Sequence, residues 1–115
     1  MLLCSDGLGL PFGHPAYDPI YAAAIEVGLP ISIHVGNEVH RISHYTAGGV
    51  PSMRLEVHSL MLQPLQHYVT SMLVYGLFER FPELRVGIIE GGVSWVPWLL
   101  MRLDAVAPEL ARETP

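Results

Sequence analysis

Two side chains that can do acid–base chemistry or bind a metal stand at the ends of short apolar runs in this sequence. Run 31–35 carries His34 near its end, and run 84–89 is followed directly by Glu90. An imidazole or a carboxylate can transfer protons or coordinate a metal ion. Because the carboxyl ends of buried parallel strands open into the cavity where chemistry is usually done, we expect His34 and Glu90 to share one site.

Both residues also have ordinary structural interpretations. His34 can be a core histidine whose ring is satisfied by a backbone carbonyl. Glu90 can cap the helix that begins near Ser94, or pair with an arginine. Its place at the end of a buried strand favours desolvation, which would suit it to proton transfer. The residue types alone leave these alternatives open.

A first helix is predicted to precede the His34 strand. Asp18 is expected to cap its first turn, and Pro19 is favoured at the first helical position. Gly28 is typical of a helix end, and the following Pro30 prevents the helix from resuming. The expected apolar face comprises Ile20, Ala23, Ala24 and Val27.

Two more helical stretches flank the Glu90 strand. Residues 52–80 have a mostly helical pattern, which Pro64 should divide into two pieces. Residues 95–106 form the last predicted helix, with both tryptophans expected in its packing. With residues 1–4 as a possible first strand, the order alternates strand and helix, and run 31–35 has the continuous apolar character of strands buried on both faces. We therefore predict the α/β class with a parallel sheet.

A long irregular segment, residues 36–51, follows the His34 strand. Loops of this length inside compact α/β domains are usually functional or disordered. The segment carries His40, Arg41 and His44, which we predict to contact a substrate, although loop histidines are more often simply solvated. Since it follows the carboxyl end of the strand, it should lie over the same cavity as His34.

Composition excludes several classes of function. The chain has 115 residues, a net charge of −5, six Lys and Arg residues and one cysteine. The scattered basic residues form no patch for nucleic acid, and no apolar stretch reaches the length of about 20 residues that spans a membrane. Cys4 has no partner for an intramolecular disulfide, so a cytoplasmic setting is the simple expectation. A small-molecule substrate is the partner that remains.

Three segments together resemble the amidohydrolase-related family. They are DPIYAAAIEVGLPISIHVG at 18–36, YGLFERFPELRV at 75–86 and IEGGVSWVPWLLMRLD at 89–104, and the similarity covers about residues 15–104. This family of metal-dependent TIM-barrel enzymes includes aminocarboxymuconate-semialdehyde decarboxylase and related hydroxybenzoate decarboxylases. The resemblance implies that residues 1–115 are one piece of a TIM (β/α)8 barrel, about three consecutive βα units near its middle.

The resemblance also implies a divalent metal, commonly zinc, at the carboxyl end of the barrel. The family takes its ligands from a His-x-His pair on the first strand, a His on a middle strand and an Asp on the last strand. His34 matches the middle-strand ligand. Glu90 stands where the decarboxylases carry an acid–base histidine, and the sequence contains no His-x-His.

Two functions follow as expectations. One is a metal-dependent hydrolase or decarboxylase acting on a small carbonyl- or carboxylate-containing molecule, with Glu90 in proton transfer. The alternative is a non-catalytic truncated or split-gene product that needs a partner to fold, either a second copy in a homo-oligomer or a complementing chain segment.

Overall fold

The computed structural model describes residues 1–4, 8–35 and 51–110. In chain order its elements are β1 (Leu2–Cys4), a 3₁₀ helix (Pro15–Tyr17), α1 (Asp18–Glu26), β2 (Ile31–His34), α2 (Arg54–Leu60), α3 (Leu62–Val74), α4 (Leu77–Arg80), β3 (Val86–Ile89) and α5 (Val96–Leu110). The predicted alternation of strands and helices is confirmed. Of the helices in these ranges, none is long and apolar enough to cross a membrane.

The three strands form one parallel sheet with β2 in the middle. His34 at the end of β2 lies opposite Cys4 of β1 and Ile89 of β3. All three strands therefore end at the same edge of the sheet. Within the described ranges, the outer edges of β1 and β3 pair with no further strand.

The two faces of β2 have different environments. Ile31 and Ile33 are fully buried, whereas Ser32 and His34 are partly exposed. Alternate residues of a strand point to opposite faces, so the isoleucines face the helices and His34 faces the other side. Among the described residues β2 is therefore buried on one face, the face that the described helices cover.

The core lies between the sheet and the helices. Its largest fully buried side chains are Phe12, Tyr21, Ile31, Ile33, Leu65, Met72 and Leu77. Burial raises the pKa of Tyr21 well above its usual value, so the hydroxyl stays protonated and donates to the Phe12 carbonyl at 2.6 Å. This bond ties the loop before α1 to the helix itself.

Helix α1 ends as the sequence predicts but begins differently. Gly28 has a φ of +68°, and its N–H and that of Leu29 donate to the carbonyls of Ile25 and Ala24. These bonds form the Schellman motif that satisfies the end of a helix. Asp18 does not cap the helix: it is the first helical residue, and its carboxylate accepts a hydrogen bond from Arg80 at 3.0 Å.

The buried face of α1 is also rotated from the predicted one. Tyr21 and Ala24 are buried, whereas Ala23 is exposed and Val27 is 64% exposed. The predicted face included two small alanines and left out the large Tyr21. The ring contributes far more buried area, so it sets which face packs inward.

The long helical stretch is interrupted at Met61, three residues before the predicted break at Pro64. Proline has no N–H to donate to the carbonyl of Leu60, four residues earlier. The helix therefore ends at Leu60 and restarts at Leu62, which puts Pro64 in the first turn of α3, where it is tolerated.

Helix α5 also differs from its prediction. It continues through Pro108 to Leu110 rather than ending near Val106. Trp95 is buried as expected, but Trp98 is 59% exposed. Trp98 therefore points away from the described core.

The loop before α1 approaches α3 too closely for any side chain at Gly13. Its N–H donates to the Ser71 hydroxyl at 2.8 Å, and a Cβ built on Gly13 would lie 2.1 Å from the Ser71 carbonyl oxygen. At Gly87 in β3, by contrast, an added Cβ meets no atom within 4 Å.

Gly13→Ala is therefore expected to lower the free energy of unfolding by about 1–3 kcal/mol, because the backbone must move and the bond to Ser71 is lost. Gly87→Ala is the matched control and should change stability little. Urea denaturation of both variants measures the difference; equal stabilities would show that the close approach of Gly13 to Ser71 is wrong.

Candidate active site

His34 and Glu90 lie together at the carboxyl edge of the sheet. The His34 Nε2 atom is 3.6 Å from a carboxylate oxygen of Glu90. The sequence predicted this proximity from the two strand ends, and the structure shows it. The roles assigned to the two residues stay predictions.

Strand register alone would not bring these two side chains together. His34 lies opposite Ile89, so Ile89 shares its face of the sheet. Regular strand geometry would then send the next side chain, Glu90, to the helix-covered face. Glu90 instead has a φ of +59°, the left-handed conformation that L-residues rarely adopt. This single dihedral angle breaks the alternation and brings the carboxylate to His34.

The two glycines after Glu90 make this turn possible for different reasons. A Cβ on Gly91 would lie 2.4 Å from Ile88 and 3.1 Å from Leu65, so only glycine fits there. Gly92 has space for a side chain but has a φ of +57°. The sequence predicted a tight turn from this pair. The left-handed Glu90 went unpredicted, since glutamate gives no local signal for that conformation.

The hydrogen bond of the His34 ring defines which nitrogen is free. Nδ1 lies 2.5 Å from the Val35 carbonyl oxygen, so in the neutral ring Nδ1 carries the proton and donates, and Nε2 carries a lone pair. This Nε2 faces the Glu90 carboxylate, which is also an acceptor. Two facing acceptors attract one another only when a proton, a water or a metal cation lies between them.

Exposure separates the alternatives that the sequence left open. The His34 side chain is 37% exposed, which excludes a core histidine even though a backbone carbonyl satisfies one nitrogen. The Glu90 side chain is 62% exposed, so the desolvation expected from the sequence is absent in this chain. A turn with two left-handed residues lifts it out of the sheet. Its described partner is His34 rather than an arginine.

Of the remaining histidines, two lie outside the described residues and three lie within them. His40, Arg41 and His44, the predicted substrate contacts, lie outside the described residues. His14 accepts a hydrogen bond from the N–H of Ala16 at 3.1 Å, which caps the 3₁₀ helix. Two others, His58 on α2 and His67 on α3, are exposed.

The donors of His34 and Glu90 fit a divalent metal in type and spacing. Imidazole nitrogen and carboxylate oxygen are both zinc ligands, and two ligands of a tetrahedral zinc are about 3.3 Å apart. The observed separation of 3.6 Å is close to this. In ranges 1–4, 8–35 and 51–110, however, no three His, Cys, Asp or Glu side chains cluster as a metal site. The pair therefore supplies part of a ligand set.

The left-handed conformation of Glu90 has a measurable cost. Glu90→Gly is expected to raise the free energy of unfolding by about 1 kcal/mol, because glycine adopts this conformation without strain. The loss of the contact with His34 reduces this gain only slightly, because an ion pair as exposed as this one contributes little to stability.

Gly92→Ala is the matched control and should destabilise by about 1 kcal/mol, because a left-handed φ is imposed on alanine where an added Cβ meets only Leu62, at 3.9 Å. Thermal denaturation of both variants shows whether each substitution raises or lowers the stability. A loss of stability in Glu90→Gly would contradict the left-handed assignment.

Comparison with known proteins supports the fold described above. The chain is similar to an amidohydrolase from Mycobacterium avium subsp. paratuberculosis K-10, with 25% sequence identity and a TM-score of 0.76; the match covers 100% of this chain and 31% of that one. The chain thus spans about a third of the length of this relative, and its three βα units are part of a TIM barrel. No curated protein sequence matches the chain.

The family model described as amidohydrolase matches residues 2–114, nearly the whole sequence. Both strands of the candidate site lie inside this match. The chain therefore belongs to the amidohydrolase family.

Proposed function

We propose that this chain is the part of a metal-dependent amidohydrolase that supplies a metal-binding histidine and an acid–base carboxylate to the active site. The observation that carries the proposal is the contact of 3.6 Å between His34 Nε2 and Glu90 at the carboxyl edge of the sheet. Family membership supports hydrolase chemistry in general. The substrate we propose is a small molecule with a carbonyl or carboxylate group.

His34 is suited to binding the metal. Its Nδ1 is held by the Val35 carbonyl, which fixes the ring orientation and leaves the Nε2 lone pair free. Metal-binding histidines usually donate their other ring N–H to an acceptor of this kind. A divalent ion such as zinc would polarise the substrate carbonyl or lower the pKa of a bound water.

Glu90 is suited to holding and moving a proton. Its exposed carboxylate can accept a proton from water and return it to a leaving group. A carboxylate in place of the histidine of the related decarboxylases favours hydrolysis as the reaction, with decarboxylation as the second candidate. The same oxygen can instead serve as a second metal ligand beside His34.

The rest of the site would come from parts of the barrel that the solved relative has and this chain does not span. Among the residues described here, two donors are present where a catalytic zinc site needs three protein ligands. We propose that His40, Arg41 and His44 contact the substrate, since their segment follows the strand that ends at His34. The single cysteine favours a cytoplasmic setting.

A second function, a non-catalytic chain that needs a partner, is favoured by the exposed apolar surface. The outer edges of β1 and β3 lack a neighbouring strand in the described structure. On α5, Trp98 is 59% exposed and Met101 is 72% exposed. Open strand edges and apolar surface of this kind are normally covered by another chain. A second copy or a complementing barrel segment would cover both.

A zinc titration tests the proposed site. We expect His34→Ala to weaken zinc binding about tenfold or more, measured by isothermal calorimetry on the full chain. Glu90→Gln should weaken binding if the carboxylate is a ligand and leave it unchanged if it only transfers protons.

His67→Ala is the control, because His67 is exposed on α3 and its ring stacks on Tyr68. The affinity of His67→Ala for zinc should equal that of the parent chain. Equal binding by the parent chain and His34→Ala, or no binding by either, would contradict the proposal and leave the non-catalytic function.

A further inference from the structure

We propose that Trp95 is a positioning residue for the Glu90 carboxylate, acting through a hydrogen bond from its indole to the carbonyl of Gly91. The inference rests on the proposed function, because it assigns Trp95 a role in the same site. The described hydrogen bond of the Trp95 indole is to the Gly91 backbone and not to His34 or the Glu90 carboxylate. Its effect passes through the turn that follows β3.

The contact is short and shielded from water. Trp95 is 8% exposed, and its Nε1 lies 2.5 Å from the Gly91 carbonyl oxygen. The backbone carbonyl of Trp95 accepts from the N–H of Leu99 at 3.0 Å, so the residue is fixed immediately before α5. Helix α5 therefore fixes the position of the indole, and the hydrogen bond from the indole fixes the Gly91 peptide in the turn.

Gly91 is constrained on two sides. Its Cα side packs so tightly on Ile88 and Leu65 that no Cβ fits, and its carbonyl is held by Trp95. Its neighbours Glu90 and Gly92 both have left-handed φ angles. The anchored peptide is thus the fixed point about which the chain turns out of the strand.

Releasing this anchor has a defined consequence for the site. Without the indole bond, the Gly91 peptide can rotate, and Glu90 can return to the extended conformation that its residue type prefers. An extended Glu90 follows the strand alternation, which sends its carboxylate to the face opposite His34. A role in stability alone would leave the conformation of Glu90 unchanged.

The sharpest test removes only the indole N–H. Replacing Trp95 with its benzothiophene isostere, in which sulfur takes the place of N–H, keeps ring size and packing. The same replacement at Trp98 is the control, since that ring is 59% exposed on α5, three residues later.

The readout is the nuclear magnetic resonance of Glu90 in the metal-free chain, namely its three-bond amide–Hα coupling, its ¹³Cα shift and its Overhauser contact with the His34 ring. In the Trp95 isostere we expect the coupling and shift to move to extended values and the contact to vanish. The core signals of Met72 and Leu77 should stay in place, and the Trp98 isostere should match the parent chain. An unchanged Glu90 in the Trp95 isostere would overturn the proposal.

A second measurement covers the case in which the isostere perturbs folding. Glu90→Gly is combined with Trp95→Phe, which also lacks the donor. If the indole bond imposes the left-handed conformation, Glu90→Gly raises the denaturation midpoint in the parent chain but gives a smaller increase in Trp95→Phe. Equal increases in both backgrounds would overturn the proposal. Neither readout uses zinc, so its failure is distinct from failure of the metal site.

Discussion

The candidate site depends on one residue held in an unfavourable backbone conformation. Glu90 follows a parallel strand whose register places Ile89, not Glu90, on the face of His34. Its φ of +59° reverses that geometry and brings a carboxylate to 3.6 Å from the imidazole. Backbone strain of this kind costs about 1–3 kcal/mol and persists only where the surrounding structure enforces it. Here the close packing of Gly91 and the bond from Trp95 enforce it.

The chemical character of the pair follows from what each atom can donate. Because Nδ1 of His34 is engaged by the Val35 carbonyl, Nε2 and the carboxylate face each other as two acceptors. Such an arrangement needs a positive species or a donor between its members. A divalent cation or a proton in transfer meets this need, and both belong to the chemistry proposed for this member of the amidohydrolase family. The geometry is therefore compatible with a shared metal ion or a shared proton, and the zinc titration distinguishes the two.

Sequence patterns predicted the order of elements, because this depends on local signals. They also placed the two strand ends at one edge of the sheet, because parallel strands end at the same edge. Gly28 specified the end of α1, and the apolar runs specified β2 and β3. Other features depend on tertiary context. The break at Met61 was displaced from Pro64 because the missing N–H acts four residues upstream. The exposure of Glu90 and Trp98 depends on which faces are covered, which periodicity does not encode.

The site was predicted less completely than the fold for the same reason. His34 and Glu90 were recognisable by type and position, but the left-handed turn was not, since glutamate has no propensity for it. Trp95 was predicted to pack in the core, and it does. Its hydrogen bond to Gly91 was not predicted, because it depends on the turn that brings the Gly91 carbonyl within reach of the indole.

We propose that His34 and the left-handed Glu90 present their donor atoms to one metal ion. A crystal structure of the chain grown with zinc, with anomalous data collected at the zinc edge, tests this most directly. We expect a peak between His34 Nε2 and the Glu90 carboxylate, with Glu90 φ positive. Zinc bound only elsewhere, or an extended Glu90 with its carboxylate on the helix-covered face, would contradict it.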